Sequence, residues 1–580
     1  MFQVIFNLKD FFKQYKKNYL IAFITMILSN LLRVLLPYIV GLIIDYMLND
    51  TLTSNLLERL VTIFIVSTIG SYLFEFIWSY FLFTGAAHLQ RNLRKDLMAH
   101  FLNRRAIFYE KFRVGDIMAR STQDVRSIAQ TAGFGMMILM DSTIFLITIV
   151  LVMGFTVSWS LTFFSMLPLI ILAYLFGKVG NMVEKRYSIS QEAFSSLNND
   201  VLEVVDGIRV IRAYVKEEAY VDKFRKQTES LLEKNNKVAE ANALFMPAVK
   251  LFTSITTVIS FGYGAYLVYN GQLSVGDIVA YQMYLAMLVW PIISIGELTN
   301  VLRQGNASME RVEFLLSTKD DLEKDGSHTV EKTGNVVMED FNFQYPSSTT
   351  RNLKNLQFTV PKGKLVGIVG KTGAGKTTLL RQLLRQYPLG EGMVEYNNRS
   401  LLDYQRKEFQ GLIGYVPQDH ILFSRSVREN ILFGKPEASE EEIVDSIRIA
   451  SFEEDLKHME EGIDTLVGEK GVSISGGQKQ RISLARAIIK DPEILILDDS
   501  LSAVDAKTEQ NIIQNIQQNR ADKTTIISTH RLSAIKEADE IVVLEDGEIV
   551  ERGTHEELMN EQGWYYEQYI RQELREGDEE

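Results

Sequence analysis

The run Gly370-Lys-Thr-Gly-Ala-Gly-Lys376-Thr377 sets glycines, a lysine and a hydroxyl at the spacing G-x-x-x-x-G-K-[ST]. It follows the apolar run "KLVGIVG" and opens a helical stretch. In that setting, glycine-rich backbone can wrap its N–H groups around phosphates, and the following helix N-terminus adds positive dipole. The whole run (Gly370, Lys371, Thr372, Gly373, Ala374, Gly375, Lys376, Thr377), together with Thr378, is the expected ATP contact. Lys376 neutralises the β/γ oxygens and Thr377 ligates Mg²⁺. A second run, "ILILDDS" at Ile494–Ser500, drives four apolar residues into two carboxylates. It predicts a buried parallel strand presenting acid at its C-terminal end. Asp498 is the expected Mg²⁺-side carboxylate, which leaves Asp499 to be explained.

These residues need a sheet to hold them. From Val336 onward, short β-rich runs alternate with helical segments: "KLVGIVG", "LIGYVPQ" at Leu412, "ILILDD", "TTIIST" at Thr524 and "EIVVLEDGEIVERG" at Glu540. The alternation predicts a mostly parallel sheet with covering helices, ending in a hairpin turned at Asp546-Gly547. The charged stretch Ser317–Thr333 lacks apolar periodicity and reads as a boundary. The expected division is residues 1–317, a linker at 318–334, and an ATPase domain at 335–580.

The first half is of another kind. Six apolar stretches are long enough to span a bilayer: Tyr19–Ile43, Leu60–Phe83, Phe134–Val157, Leu161–Val179, Val249–Tyr269 and Ile278–Ile295. The first is too long for a signal-peptide core and no A-x-A site follows it. Phe6–Tyr15 reads as an interfacial helix. Lys and Arg crowd the 84–133 and 180–248 segments and are absent from Val157–Ser160 and Asn270–Asp277. The positive-inside rule therefore puts both long segments and both termini in the cytoplasm. Those segments carry helical patterning, so the span helices are expected to continue well beyond the membrane. With 580 residues, the chain is too long for one ordinary domain. Its net charge of -12 gives no pointer to nucleic acid. It has no cysteine, which excludes disulfides, thiol catalysis and cysteine-ligated metal. Its seven histidines form no H-E-x-x-H spacing.

"ISGGQKQRISLARAI" at Ile474–Ile488 resembles the signature of ABC ATPases, one residue off the common "LSGGQ". With Gly370–Thr377, "VPQD" at Val416–Asp419, "SAVD" at Ser502–Asp505 and "STHR" at Ser528–Arg531, the chain resembles an ABC exporter half: six spans followed by one nucleotide-binding domain. "FYEKFRVGDIMARSTQDV" (Phe108–Val125) is similar to the first intracellular loop of such exporters, and "TLVGEKG" (Thr465–Gly471) to their X-loop. The resemblance implies that Tyr345, in "FQYP", stacks on adenine. It implies that Gln418 touches Mg²⁺ or the attacking water and reports to the membrane half, and that His530 lies near the γ-phosphate. Asp505 becomes the D-loop acid. Ser475, Gly476, Gly477 and Gln478 become contacts to ATP held on a partner's phosphate loop, so a working unit needs two chains.

Most of the family has glutamate after the Mg²⁺ aspartate, to polarise the attacking water. Here Asp499 is one methylene shorter. Its carboxylate is drawn back by about 1.5 Å, on a scale where ~1 Å can cost ~100-fold. The expectation is a heterodimer: a degenerate site on this chain, and an intact signature completing a competent site on a different half-transporter. The cargo expected is amphipathic small molecules of the multidrug type, moved across a bacterial inner membrane. Arg33, Glu75, Asp141 and Glu297 are the ionisable candidates for a substrate cavity within or near the spans. Met136, Met137, Met140, Phe76, Trp78, Tyr80, Met283, Tyr284 and Trp290 are candidates for an adaptable apolar lining. A homodimeric lipid flippase and a regulatory ATP-binding membrane subunit remain as alternatives.

Overall fold

The computed structural model describes residues 3–318, 325–468 and 474–579. The chain divides into two compact units: Met1–Asn103 with Phe112–Thr318, and Arg104–Lys111 with Lys319–Glu580. Part of the 318–334 linker and the end of the Thr465–Gly471 segment lie outside the described residues.

In the first unit, six helices among the described residues are long and apolar enough to cross a membrane: Lys16–Leu48, Ser54–Leu102, Val114–Val157, Trp159–Asp206, Glu217–Tyr269 and Val275–Ser317. Each outruns the apolar stretch read from the sequence. The third runs 44 residues although its apolar window begins only near Phe134. It is also not uniformly α-helical. Single π-turns recur at Arg120–Asp124, Thr131–Gly135, Asp141–Phe145 and Met153–Val157. Such turns widen the helix locally and re-aim side chains. Two short helices, Gln3–Asn7 and Lys9–Gln14, precede the first span, and the Val4 N–H donates to Asn306 Oδ1 at 2.6 Å. The unit's core gathers Val34, Ile149, Leu161, Tyr281 and Leu288. Tyr284, expected in an adaptable lining, belongs to this core. It is fully buried, and its hydroxyl donates to the Val34 carbonyl at 3.0 Å. Asp45 caps the sixth helix, with Oδ1 accepting from the Gly276 N–H at 2.7 Å.

Among the described residues the second unit carries ten strands: β1 (Val336–Phe343), β2 (Leu353–Val360), β3 (Leu365–Gly370), β4 (Glu391–Tyr396), β5 (Arg399–Ser400), β6 (Ile413–Val416), β7 (Ile494–Asp498), β8 (Thr524–Ser528), β9 (Glu540–Glu545) and β10 (Glu548–Gly553). They form a four-stranded sheet in the order β2-β1-β4-β5 and a six-stranded sheet in the order β10-β9-β3-β8-β7-β6. Within the larger sheet β9-β3-β8-β7-β6 are parallel, and β9–β10 is the expected antiparallel hairpin. Asp546 and Gly547 supply its turn, both with positive φ. Strands β3 and β7 are buried along their whole length, which is why they read as continuous apolar runs. Alternate residues serve two cores. Val366, Ile368, Ile494 and Ile496 face the one that includes the helix Lys376–Leu383. Leu365, Val369, Leu495 and Leu497 face the one that includes the helix Gly476–Ile488. The phosphate loop and the signature thus lie on helices covering opposite faces of one sheet.

Candidate nucleotide site

The loop begins where β3 ends. A Cβ on Gly370 would stand 2.2 Å from the Leu544 carbonyl oxygen, so only glycine fits there. Gly375 has φ +106 and occupies the N-cap of the helix Lys376–Leu383, leaving the first N–H groups of that helix uncovered. Lys376 folds back over the loop. Its Nζ donates to the Gly370 carbonyl at 2.8 Å and the Lys371 carbonyl at 3.3 Å, and it stands 3.3 Å from His530 Nε2. These are the positions of a cation that marks a phosphate site from beneath. Burial lowers the pKa of Lys376, against the raising pull of Asp499 and Asp498.

Thr377 Oγ1 donates to Asp498 Oδ1 at 3.1 Å, and the Tyr415 hydroxyl donates to Oδ2 at 3.4 Å. Asp498 is buried, and desolvation raises its pKa above the usual carboxylate range. A hydroxyl and a buried carboxylate in contact beside uncovered helix N–H groups are the oxygen donors a hard divalent cation takes next to phosphate. The residues therefore fit Mg²⁺.

Asp499 adopts a left-handed backbone, φ +45, a conformation Asp tolerates better than most residues. Its N–H donates to the Ser528 carbonyl at 2.7 Å. This tether, one strand over, turns the side chain out of β7 toward the cavity. There Gln418 Nε2 donates to Asp499 Oδ2 at 3.3 Å. His530 reaches the same space from the end of β8. Burial and the neighbouring Lys376 charge lower its pKa, so the imidazole is neutral at pH 7.

A cavity of about 630 Å³ joins these groups, lined by the loop from Thr372 to Thr378 with Gln418, Asp498, Asp499 and His530. Gly370 and Lys371 lie under the loop as the carbonyls that hold Lys376. Sequence reasoning missed Thr350, Arg351 and Asn352, from the turn between β1 and β2, and Lys354 at the start of β2, which line the same cavity. Their signal was a polar, basic loop directly after "FQYP".

Tyr345, expected to stack on adenine, lies beside the helix that follows the phosphate loop. It is not among the lining residues. Its hydroxyl donates to Thr378 Oγ1 at 3.2 Å, and its ring packs edge-on against Phe343 and Tyr387, with centroids 5.0 and 4.9 Å away. These contacts set its ring beside the start of the helix Lys376–Leu383. Tyr387 in turn donates to Glu110 Oε1, in the Arg104–Lys111 segment that groups with this unit.

The signature residues stand apart from this cavity. Ser475 and Gln478 form a capping box, with the Gln478 N–H donating to Ser475 Oγ at 3.2 Å and the Ser475 N–H to Gln478 Oε1 at 3.0 Å. Gly476 and Gly477 sit against Ala503 of the D-loop. Asp505 caps the helix Ala506–Asn519 by accepting from the Thr508 N–H at 2.9 Å, and that bond lowers its pKa.

The intramembrane candidates divide. Arg33 Nη2 pairs with Glu75 Oε2 at 2.9 Å, and Asp141 lies within their electrostatic reach beside Trp290. Glu297 does not join them. It lines a separate cavity of about 730 Å³ with Glu184 and Arg303, which are themselves paired at 2.7 Å. Trp78, Met136 and Met140 line an apolar cavity of about 260 Å³ with Phe23 and Met26.

Residues 19–292 match the family described as the ABC transporter transmembrane region, and residues 353–502 match the family described as ABC transporter. Over 575 residues the chain is 47% identical to the probable multidrug resistance ABC transporter ATP-binding/permease protein YheI of Bacillus subtilis, covering 99% of this chain and 98% of that protein. It is 36% identical to the multidrug resistance-like ATP-binding protein MdlA of Escherichia coli, over 87% of this chain and 85% of the other. The structure of a bacterial Atm1-family ABC exporter with ATP bound matches with a TM-score of 0.80 at 24% identity, over 96% of this chain and 98% of that one, a likeness of fold. With six apolar helices, one nucleotide-binding domain and these relatives, the chain belongs to the ABC transporters, as a half-transporter homologous to the multidrug exporters.

Proposed function

We propose that this half-transporter works beside a different partner chain to export amphipathic small molecules across the cell membrane, and that its own ATP site is the slow one of the pair. The observation that carries this reading is Asp499. It occupies the position from which a carboxylate must orient the attacking water, on a side chain one methylene shorter than the family's glutamate. Its reach is taken up by Gln418 at 3.3 Å. A base held about 1 Å short of near-attack geometry loses on the order of 100-fold in the chemical step. The signature, by contrast, is whole. The Ser475 cap orders Gly476 and Gly477 at a helix start, ready to complete an anion cage on a partner's nucleotide.

In this reading Lys376 leaves the Gly370 and Lys371 carbonyls for the β/γ-phosphate oxygens. Thr377 and Asp498 hold Mg²⁺, which when bound neutralises charge on those oxygens. Neutral His530 sits at the γ-phosphate side, and Gln418 links Asp499 to the adjoining loop. Both termini lie in the cytoplasm, by the positive-inside rule. The multidrug names of the relatives support the cargo class.

The test is to purify the tagged chain from its native membrane in mild detergent and weigh the intact complex. A 1:1 complex with a second, similar-sized chain is expected, and Asp499→Glu should raise its ATPase rate. A complex of twice this chain's mass, or an unchanged rate in Asp499→Glu, overturns the asymmetric reading. Stimulation by lipid rather than by amphipathic drugs would then point to a flippase. ATP binding without transport would point to a regulatory subunit.

A further inference from the structure

The helix Trp564–Glu579 ends the chain, and it is firmly docked on its own unit. Tyr565 and Tyr569 are buried, and the Tyr565 hydroxyl lies 2.8 Å from His555 Nδ1. The Glu551 carboxylate accepts from the N–H groups of Trp564 at 2.5 Å and Tyr565 at 3.0 Å, satisfying two donors that a helix start leaves without partners. Residues 565, 569 and 572 follow at i, i+4 and i+7, so they form one stripe on the helix. The first two are aromatic and drive docking. The third, Gln572, is polar, and both ends of its amide are used.

Gln572 Nε2 donates to the His530 carbonyl at 2.8 Å, and the Leu532 N–H donates to Gln572 Oε1 at 2.9 Å. These two backbone groups flank Arg531. A side-chain amide offers a donor and an acceptor on two separate atoms of one tip, and glutamine has the reach to offer them from a helix. On the other side of the same loop, the Arg531 guanidinium donates to the carbonyls of Val504 at 2.9 Å and Ser502 at 3.1 Å and to Glu509 Oε2 at 3.0 Å. The loop that carries His530 is therefore gripped from two sides, by the D-loop stretch and by the C-terminal helix. A stripe built for docking alone would place a third apolar residue at 572.

We propose that Gln572 is the positioning residue that fixes the His530 peptide, and so makes the C-terminal helix a control point on the ATP site. The proposal rests on the reading of His530 as the group at the γ-phosphate. If the helix shifts, the amide leaves, the residues 530–532 relax, and the imidazole loses its register beside Lys376.

The test labels the full transporter, purified with whatever chain accompanies it, with diethylpyrocarbonate. Modification of each histidine is read by peptide mass spectrometry. In Gln572→Ala, His530 should react about fivefold faster, the population change that loss of one ordinary hydrogen bond allows. His555 reports docking, because it packs on Tyr565 and Tyr569 of the same helix. It should stay unchanged. Gln572→Glu, which keeps the acceptor and removes the donor, should behave like Gln572→Ala. An unchanged His530 rate overturns the proposal. So does a rise at both histidines in both variants, since Gln572 would then merely dock the helix. ATPase assays in an Asp499→Glu background, where this chain's own site turns over, separate this from the reading of His530. Gln572→Ala should lower kcat with little change in KM, and should add no further loss in a His530→Ala background. If His530→Ala alone leaves kcat intact, the role given to His530 fails, while the labelling still decides whether Gln572 positions it.

Discussion

Lys376 Nζ and His530 Nε2 stand 3.3 Å apart, a distance that leaves no room for two cations without an anion between them. The lysine carries the charge, and burial together with that charge holds His530 below the ordinary histidine value. A free histidine takes up its proton near pH 6.5, about the ordinary value. The folded side chain resists until lower pH, so the arrangement is complete above about pH 6.5 and is lost as pH falls through the lowered folded value. In an Asp499→Glu background, where this chain's own site turns over, ATPase activity should show an acid limb whose midpoint lies below the ordinary histidine range. His530→Ala in that background should remove the limb along with most of the rate gained by Asp499→Glu. A pH–rate profile of both proteins checks this, and an acid limb retained by His530→Ala would assign it to another group.

Asp498 gives the opposite sign. Its burial raises the carboxyl pKa, so a proton competes for it at higher pH than for an exposed aspartate. In the same Asp499→Glu background, the Mg²⁺ concentration needed for half-maximal ATPase should therefore climb as pH is lowered. Thr377→Ala, which removes the hydroxyl 3.1 Å from Asp498, should raise that concentration on the order of tenfold at fixed pH. A Mg²⁺ titration at two pH values reads both effects. A pH-independent requirement would mean that Asp498 does not share its proton site with the metal.

How far could these groups be read from sequence? The phosphate loop and β7 were legible because each binds its chemistry to a local pattern: a glycine spacing after an apolar run, and acids at the end of one. The six spans were legible by length and hydropathy. Contacts that depend on packing between distant segments were not. Tyr345 matched an aromatic position, yet the edge contacts with Phe343 and Tyr387 and the Thr378 bond decide where its ring lies. Arg351 and Asn352 reach the cavity because the β1–β2 turn folds over the loop, a tertiary fact. The π-turns of the third span leave no mark in hydropathy. Glu297 and Arg33 look alike in sequence as isolated charges near apolar runs, and only helix packing separates them.

The Arg33–Glu75 pair joins the first two spans at 2.9 Å. Removing one member leaves a lone charge on a membrane span, which is costly, whereas removing both members can be nearly neutral. Arg33→Leu alone should therefore lower the thermal midpoint of the detergent-solubilised protein more than the double variant Arg33→Leu/Glu75→Leu does. Thermal unfolding followed by tryptophan fluorescence checks the order. Equal losses in the two would show that the pair does not couple the spans.

Gly276 and Gly296 lie on the same helix, Val275–Ser317, yet alanine should act on them in opposite directions. A Cβ on Gly276 would come within 2.1 Å of the Gly41 carbonyl oxygen and 2.6 Å of the Asp45 carboxylate. The obstruction on one side is backbone, so the first and sixth spans must separate, and Asp45 loses its hold on the helix start. Overpacking of this sort costs about 1–3 kcal/mol. A Cβ on Gly296 meets no atom within 4 Å. There alanine should stabilise by up to about 1 kcal/mol, the helix-propensity difference between the two residues. Gly276→Ala should thus melt below the parent protein, and Gly296→Ala at or above it. If both variants melt alike, the close approach of Gly41 and Gly276 contributes nothing to holding the spans together.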